Sequence, residues 1–189
     1  ASVGIGTTDK GLAAQLARMI VERTGAGVVW RAAGFNSATA GQIRDHVLPN
    51  LAAEEWSHIV VSIGTNDAKN FHTVSRFKKE FGGLLYALRA KWPEARVIWS
   101  PVVDMRRVPA LPNALGRLLE IRAQLINRKA AALCLERGAI PATRLPIVDP
   151  SGFSTDGFHA SEIGYHAWAE HLFPFVMKET AAEREAALS

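Results

Sequence analysis

The chain contains a single cysteine, Cys134, and this scarcity limits its disulfide and metal chemistry. One cysteine excludes an intramolecular disulfide and provides no thiolate set for a structural zinc site. The histidines do not compensate, because none of them forms a His-x-x-x-His pair, the spacing that presents two imidazoles on one helix face. We therefore expect no metal site. A reducing compartment fits such a chain, although export is not excluded.

Long apolar runs and concentrated charge are absent as well. No apolar stretch approaches the ~18 residues of a membrane span, so no membrane-spanning segment is expected. The 22 basic and 18 acidic residues give a net charge of +4, and the densest basic runs are only the pairs Lys78-Lys79 and Arg106-Arg107. Runs as short as these do not make a nucleic-acid footprint. We therefore expect a small-molecule ligand and no nucleic-acid partner.

Residue patterning predicts one domain in which helices and strands alternate. Helical spacing marks 10–24, 39–48, 75–92, 115–137 and a last helix from Ser161 to 173, whereas apolar runs mark strands at 27–32, 59–63, 96–100 and 145–148. Strict alternation of this kind favours a parallel sheet with helices on both faces. The predicted fold class is α/β, a three-layer α/β/α sandwich with a flavodoxin-like sheet, spanning residues 1–189 as one domain.

The start of this pattern is unusual, because a loop and a helix come before any strand. Doubly wound sheets usually begin with a central strand that feeds the site. A sheet without that strand would expose unpaired backbone and apolar surface. We therefore expect the functional protein to have residues ahead of Ala1 that form this strand.

The strongest functional pattern lies near the C-terminus, in Thr155-Asp156-Gly157-Phe158-His159. An Asp three residues before a His, with a glycine between them, can turn back so that the carboxylate holds Nδ1 of the imidazole. Nε2 is then free to act as a base. The alternative is an ordinary Asp turn followed by a His near a helix start. We treat Asp156 and His159 as the candidate catalytic residues.

Two polar loops upstream follow predicted strands and supply candidate hydrogen-bond donors. Gly34 offers a backbone N–H and Asn66 offers a side-chain amide, the types of donor that form an oxyanion hole. Asp67 is expected to brace its loop rather than to react. The carboxyl ends of parallel strands face one crevice, so we expect both loops to meet the loop of Asp156 and His159 there. Ordinary turn chemistry is the alternative for each loop.

Three of these segments, in this order, resemble the sequence blocks of the SGNH/GDSL hydrolase superfamily of esterases and lipases. They are Gly34, Gly64-Thr65-Asn66-Asp67 and Asp156-Gly157-Phe158-His159. The resemblance covers essentially the whole chain. Within the superfamily, the chain resembles bacterial members. It implies the SGNH hydrolase fold, no cofactor, and an oxyanion hole formed by Gly34 and Asn66. It also implies His159 as the base and Asp156 as the carboxylate that orients it.

The Gly-Asp-Ser block that carries the nucleophile of this family is absent from the sequence. Aligning the family's downstream glycines with Gly4 and Gly6 places the serine just before Ala1, and Ser2 is the weaker candidate. The resemblance implies a carboxylesterase-like or lipase-like serine hydrolase, with thioesterase and deacetylase activities left open. We expect the loop from Val102 to Leu111 to line an acyl pocket.

Two other hypotheses remain open at this point. The first is a non-catalytic ligand-binding homologue that keeps the fold and the crevice but lacks the nucleophile. The second is a flavodoxin-like nucleotide binder, which would bind nucleotides and turn over no ester. A fold alone does not choose between these functions, because unrelated activities share the same architecture.

Overall fold

A computed structural model describes residues 8–146 and 148–178 of the chain. Within these residues the strands form one parallel sheet, in the order β1-β2-β3, from β1 (His58–Ser62), β2 (Arg96–Ser100) and β3 (Ile140–Pro141). The helices are α1 (Leu12–Thr24), α2 (Ala40–Gln42), α3 (Thr65–Lys69), α4 (Val74–Lys91), α5 (Asn113–Glu136) and α6 (Glu162–Met177). A π turn (Ile43–Val47) and a 3-10 turn (Leu48–Asn50) continue α2. None of the helices in the described ranges is long and apolar enough to cross a membrane.

Local sequence explains where several helices begin and end. Thr39 begins α2 with a capping box that it shares with Gln42. Thr73 caps α4 and Ser161 caps α6, each by accepting a backbone N–H from the first turn. α1 ends at Gly25, whose left-handed backbone (φ 72°) closes the last turn. The chain therefore carries its own start and stop signals around the strands.

The core lies on both faces of the sheet. Successive residues of β2 point to opposite sides, so that Trp99 packs with α4 and α5 whereas Ile98 packs with α1 and α6. On the first side, Phe77 and Phe81 of α4 are fully buried, and the Phe81 ring lies 5.9 Å from the Trp99 ring between centroids. These layers confirm the predicted three-layer α/β/α fold class.

Two of the predicted strands are wrong. Residues 26–35 form no strand and are mostly exposed, with Val29 87% exposed, because no described strand lies beside them to exchange backbone hydrogen bonds. The last strand is Ile140–Pro141 rather than 145–148. Pro146 has no N–H to give to a ladder, and Ile147 lies outside the described residues. Among the described residues, β1 consequently has a strand partner on one side only.

An ion pair between the buried Glu120 and the partly exposed Arg144 fixes the loop after β2 to α5. The Arg144 guanidinium donates to both carboxylate oxygens of Glu120, each at 2.7 Å, and to the backbone carbonyl of Val102 at 2.9 Å. Glu120 also accepts the N–H of Met105 at 3.0 Å. Burial opposes the charge of Glu120, but the hydrogen bonds from Arg144 and its neighbours outweigh burial and lower the pKa of Glu120. The loop is therefore held by charge as well as by packing.

Replacing Arg144 with Met should destabilise the fold by about 3 kcal/mol, because Glu120 is then buried without its charged partner. Chemical denaturation measures the free energy of unfolding. The double variant Arg144→Met/Glu120→Leu is the control and should recover most of the loss, since no charge stays buried.

The stabilisation by the Arg144–Glu120 pair depends on pH, and the direction of that dependence follows from the pKa of Glu120. The folded-state pKa of Glu120 is lowered, so its stabilisation is present above the unfolded-state pKa and is lost as the pH falls through the folded value. The stability gap between the unaltered protein and Arg144→Met should therefore narrow in acid. An equal gap at about pH 3 and about pH 7 would contradict the assignment.

Candidate active site

Asp156 and His159, the candidate catalytic residues, are hydrogen-bonded to each other. Oδ2 of Asp156 lies 2.6 Å from Nδ1 of His159. A carboxylate can only accept, so Nδ1 carries the hydrogen and Nε2 is the basic nitrogen. In the described part of the chain, no hydrogen bond reaches Nε2. The imidazole is therefore oriented on one side and able to take a proton on the other.

A tight turn holds the Asp156 carboxylate in place. Its Oδ1 accepts the backbone N–H groups of Phe158 and His159, at 2.8 and 2.9 Å, and the Ser154 hydroxyl at 2.7 Å. The hydrogen bond from His159 and these further donors together hold the pKa of Asp156 well below its usual range. Asp156 therefore stays ionised and can stabilise a positive charge on the imidazole.

The loop after β1 places Asn66 beside the turn that contains Gly34. The loop opens at Gly64, whose φ is 129°, and a Cβ there would lie 2.9 Å from a methyl group of Val102. Backbone and packing both require glycine at this position. Asn66 follows in the first turn of α3, and its Nδ2 donates to the carbonyl of Ala38 at 2.9 Å. An amide nitrogen has two hydrogens, so one remains for a ligand.

Gly34 begins the turn that Asn66 contacts. Its φ is 150°, and Ser37 has a left-handed φ of 61°, so the chain reverses direction here. The turn closes where the N–H of Ala38 donates to the carbonyl of Phe35 at 3.3 Å. No hydrogen bond among the described residues uses the N–H of Gly34. Gly34 and Asn66 thus lie on two loops in contact, and each keeps a donor that is not in use.

Asp67 fastens these two loops to each other. Its side chain is fully buried, and its Oδ2 accepts the N–H of Ala40 at 3.1 Å. Its Oδ1 lies 3.2 Å from Nδ1 of His72. Burial raises the pKa of Asp67, while the hydrogen bonds from Ala40 and His72 oppose that rise. Asp67 therefore holds the loop of Asn66 against the segment that begins at Gly34.

A contact between Lys69 and Phe158 brings the loop of His159 next to the loop of Asn66. The Lys69 ammonium lies 4.6 Å from the centre of the Phe158 ring, which is cation–π range. Lys69 is the last residue of α3, the helix that carries Asn66. Phe158 directly precedes His159, and the two rings pack edge to face at 5.4 Å. The candidate residues therefore share one edge of the sheet, where the carboxyl ends of parallel strands meet.

The apolar side chains of the loop after β2 do not line an open pocket. Val102, Met105 and Val108 are at most 4% exposed and belong to the core. The expectation of an acyl pocket is wrong for these three side chains, because they face α5 rather than the crevice. The loop reaches the site through its backbone instead, where the N–H of Ala110 donates to the carbonyl of Gly157 at 3.0 Å.

The nucleophile is not among the groups that the structure places at the site. Ser2 and the glycines Gly4 and Gly6 lie outside the described residues. The Ser154 hydroxyl is near, but it donates to Asp156 and supports the carboxylate instead of facing Nε2. Ser154 and the Lys69–Phe158 contact are features that sequence reasoning missed. A Ser two residues before an Asp is common in turns, and a contact between distant loops leaves no local pattern.

Asp67, His72 and Glu80 are the one group of possible metal ligands in the described residues, with donor atoms within 4.8 Å of one another. Two of the three are already engaged, since Asp67 accepts from Ala40 and faces the imidazole of His72. The nitrogen that points at the carboxylates carries a hydrogen while that bond is kept. A nitrogen in this state cannot ligate a cation. Asp67 and His72 therefore form a hydrogen-bonded pair, and Oε2 of Glu80 lies 3.7 Å from the same nitrogen.

A family model identifies the family of the chain, and solved structures share its fold. The model of the GDSL-like Lipase/Acylhydrolase family matches residues 1–167, whereas no curated protein matches the chain in sequence. TesA is 18% identical, with 93% of each chain covered and a TM-score of 0.71. The extracellular lipase of Streptomyces rimosus is 13% identical, with 90% of this chain and 88% of the lipase covered and a TM-score of 0.66. A variant of Axe2, an acetyl-xylooligosaccharide esterase from Geobacillus, is 12% identical, with 89% and 82% covered and a TM-score of 0.70.

The carboxyl group of Asp156 should titrate well below the value of about 3.9 that is normal for aspartate. Carbon-13 NMR of the carboxyl carbon measures the midpoint. In His159→Ala the midpoint should rise towards the normal value without reaching it, because the backbone donors of the turn remain. Since the folded-state pKa is lowered, the stabilisation by this pair is present above the normal pKa and is lost as the pH falls through the lowered one.

Asp149 is the control for this titration. Its pKa is also lowered, but by hydrogen bonds from Ser151 rather than from a histidine. Its midpoint should be the same in the unaltered protein and in His159→Ala. If the titration midpoint of Asp156 were also unchanged in His159→Ala, the assigned Asp156–His159 hydrogen bond would be contradicted.

Proposed function

The chain belongs to the GDSL-like Lipase/Acylhydrolase family, and on that premise we propose that it is a serine hydrolase that cleaves acyl esters. The serine attacks the carbonyl carbon of the ester, and Nε2 of His159 takes the hydroxyl proton. The same nitrogen then gives the proton to the leaving alcohol oxygen, and the acyl group stays bonded to the serine. Water next attacks this acyl-enzyme, with Nε2 taking the water proton and returning it to the serine oxygen as the carboxylic acid leaves. Asp156 keeps the imidazole in the required tautomer and stabilises its charged form. No cofactor takes part in these steps.

The observation that carries this proposal is the Asp156–His159 pair with Nε2 unused, on the same sheet edge as two unused donors. Attack on the carbonyl moves negative charge to its oxygen. In the proposed mechanism, that oxygen accepts hydrogen bonds from the Gly34 N–H, from the Asn66 amide and from the N–H of the nucleophile. Donors that are already oriented need no rearrangement during the reaction, so their stabilisation is specific to the transition state.

The proposed nucleophile is a serine ahead of residue 1, at the end of a strand that lies against the free edge of β1. Within the described residues, β1 has a strand partner on one side only. Val29 and Trp30 are 87% and 38% exposed, although apolar residues of this kind favour burial. A strand in this place would cover them, and its carboxyl end would lie beside the loop of Asn66.

The substrate class that fits this site best is a short acyl ester. The side chains of His159 and Asp156 are 31% and 46% exposed, so the reacting groups lie near the surface and not at the bottom of an apolar channel. Among the structures that share the fold, one is an esterase of acetylated xylooligosaccharides and one is a lipase. Small acyl groups need little apolar wall, whereas long chains need a deep one. Thioesters and acetylated sugars fall within the same proposal.

Replacing His159 with Ala should lower kcat for a short-chain nitrophenyl ester by about 10²–10⁴-fold, because the general base is removed. Steady-state kinetics on the protein in its natural full length measures the loss. The matched control is His46→Ala, since His46 is exposed on the turn after α2. Turnover in His159→Ala equal to that of the control would refute the proposed mechanism.

Replacing Asn66 with Ala should lower kcat by about 10²–10³-fold, roughly 2.7–4 kcal/mol of transition-state stabilisation. KM should change much less, because the donor acts on the charge that develops in the transition state. Asn70→Ala is the control, since Asn70 is exposed just after α3. A loss below about threefold in Asn66→Ala would remove Asn66 from the oxyanion role.

A fluorophosphonate probe identifies the nucleophile, because it forms a covalent bond with an activated serine. The label on the full-length protein is located by peptide mass spectrometry, with His159→Ala as the control that should label far more slowly. A label ahead of residue 1 supports the proposed serine, and a label on Ser2 replaces it with the nearer hydroxyl. No label and no ester turnover would favour a non-catalytic ligand-binding protein.

A further inference from the structure

His72 is a buried polar residue that none of the proposed catalytic steps uses. Its side chain is 8% exposed, and its Nδ1 lies 3.2 Å from Oδ1 of the fully buried Asp67. A carboxylate only accepts, so Nδ1 donates both when the imidazole is neutral with its hydrogen on this nitrogen and when it is protonated. The contact therefore does not depend on the charge of His72.

Two hydrogen bonds link this contact to the proposed oxyanion donors. The other oxygen of Asp67 accepts the N–H of Ala40 at 3.1 Å. Asn66, the residue before Asp67, donates to the carbonyl of Ala38 at 2.9 Å. Ala38 and Ala40 belong to the segment that begins at Gly34. The orientation of the Asp67 carboxylate therefore sets how the Asn66 loop and the Gly34 turn lie relative to each other.

The backbone at His72 is held from α5. Arg122 donates to the carbonyl of His72 and, at 3.0 Å, to that of Ala68, and its guanidinium lies 4.9 Å from the centre of the Phe71 ring. Phe71 has a left-handed φ of 54°, a backbone conformation that is unfavourable for a residue other than glycine. The chain keeps this conformation because the contacts around it stabilise it. As a result, His72 folds back towards Asp67.

Glu80 of α4 approaches the same nitrogen of the imidazole. Its Oε2 is 3.7 Å from Nδ1 of His72, while its Oε1 accepts from Arg76 at 2.8 Å. Gly41 leaves room for this carboxylate, because a Cβ at that position would lie 2.8 Å from the carboxyl carbon of Glu80. Nδ1 of His72 thus faces two carboxylates. Without its N–H, the charges of Asp67 and Glu80 would face each other with no donor between them.

We propose that His72 is a positioning residue of the oxyanion hole, which fixes the Asp67 carboxylate that joins the Asn66 loop to the Gly34 turn. His72 touches neither the substrate nor the nucleophile and acts through Asp67. The inference rests on the proposed hydrolase function. A displacement of about 1 Å at a catalytic group can lower a rate by about 10²-fold, so a small rotation of Asp67 is enough to matter.

Three substitutions at position 72 test whether one N–H carries the effect. In His72→Leu, kcat should fall about 10- to 100-fold while KM stays within about threefold, because the substrate is not touched. His72→Asn should keep kcat within about threefold of the unaltered protein, since its amide nitrogen, like Nδ1, lies two bonds from Cβ. His72→Gln places its nitrogen one bond farther away and should behave like His72→Leu. His46→Leu is the matched control on an exposed histidine.

A double-mutant cycle with Asn66 separates positioning from general stability. If His72 acts through the oxyanion donors, His72→Leu should lower kcat by less than about threefold in an Asn66→Ala background, because the donor that it positions is gone. A residue that only stabilises the fold would cost the same factor in both backgrounds. Circular dichroism and thermal unfolding establish that each variant is folded under the assay conditions.

The measurements distinguish a failure of the proposed role of His72 from a failure of the proposed hydrolase function. Ester turnover by the unaltered protein with equal kcat in His72→Leu overturns the inference and leaves the hydrolase function standing. Equal losses in His72→Asn and His72→Gln, or full additivity with Asn66→Ala, overturn it too. If His72→Leu does not fold, the comparison of His72→Asn with His72→Gln decides. Absence of turnover in the unaltered protein removes the proposed function and the inference with it.

Discussion

The buried carboxylate of Asp67 is the joint on which the geometry of the site depends. It accepts an N–H from Ala40, which lies in an earlier part of the chain, and its neighbour Asn66 makes a second bond to the same segment. A buried carboxylate that loses a donor keeps its full desolvation cost. The two loops therefore separate only at a high free-energy cost. This is why two separate stretches of chain can present donors in a fixed arrangement.

Whereas Asp67 joins distant parts of the chain, the loop of His159 is organised by hydrogen bonds within the loop itself. Its carboxylate, its imidazole and the donors that hold them all lie between Ser154 and His159, and the loop is partly exposed. Local hydrogen bonds shape this loop, and contacts with the rest of the protein position it, such as those of Phe158 with Lys69 and of Gly157 with Ala110. The candidate site combines a locally organised, partly exposed Asp–His pair with unused N–H donors on loops that the core holds.

The sequence predicts those features that depend on neighbouring residues. The Asp156–His159 spacing, the helix caps and the central strand Arg96–Ser100 are all local, and the structure has them. The strand expected at 27–32 fails because a strand exists only with a partner, which no local pattern can supply. The approach of His72 to Asp67 and the bonds of Arg144 also depend on tertiary packing. Residue spacing along the chain carries no information about them.

The distribution of cations around the crevice favours acyl transfer over phosphoryl transfer. A phosphoryl group requires positive charge aimed at its oxygens. Near this site, Arg122 is engaged by two backbone carbonyls and by the ring of Phe71, and Lys69 faces the ring of Phe158. Among the residues that the structure describes, the unused groups of the candidate site include a neutral N–H, an amide hydrogen and an imidazole nitrogen. Such groups can stabilise a single oxyanion and move one proton, which is what ester cleavage needs, and they offer little to the several charges of a nucleotide phosphate.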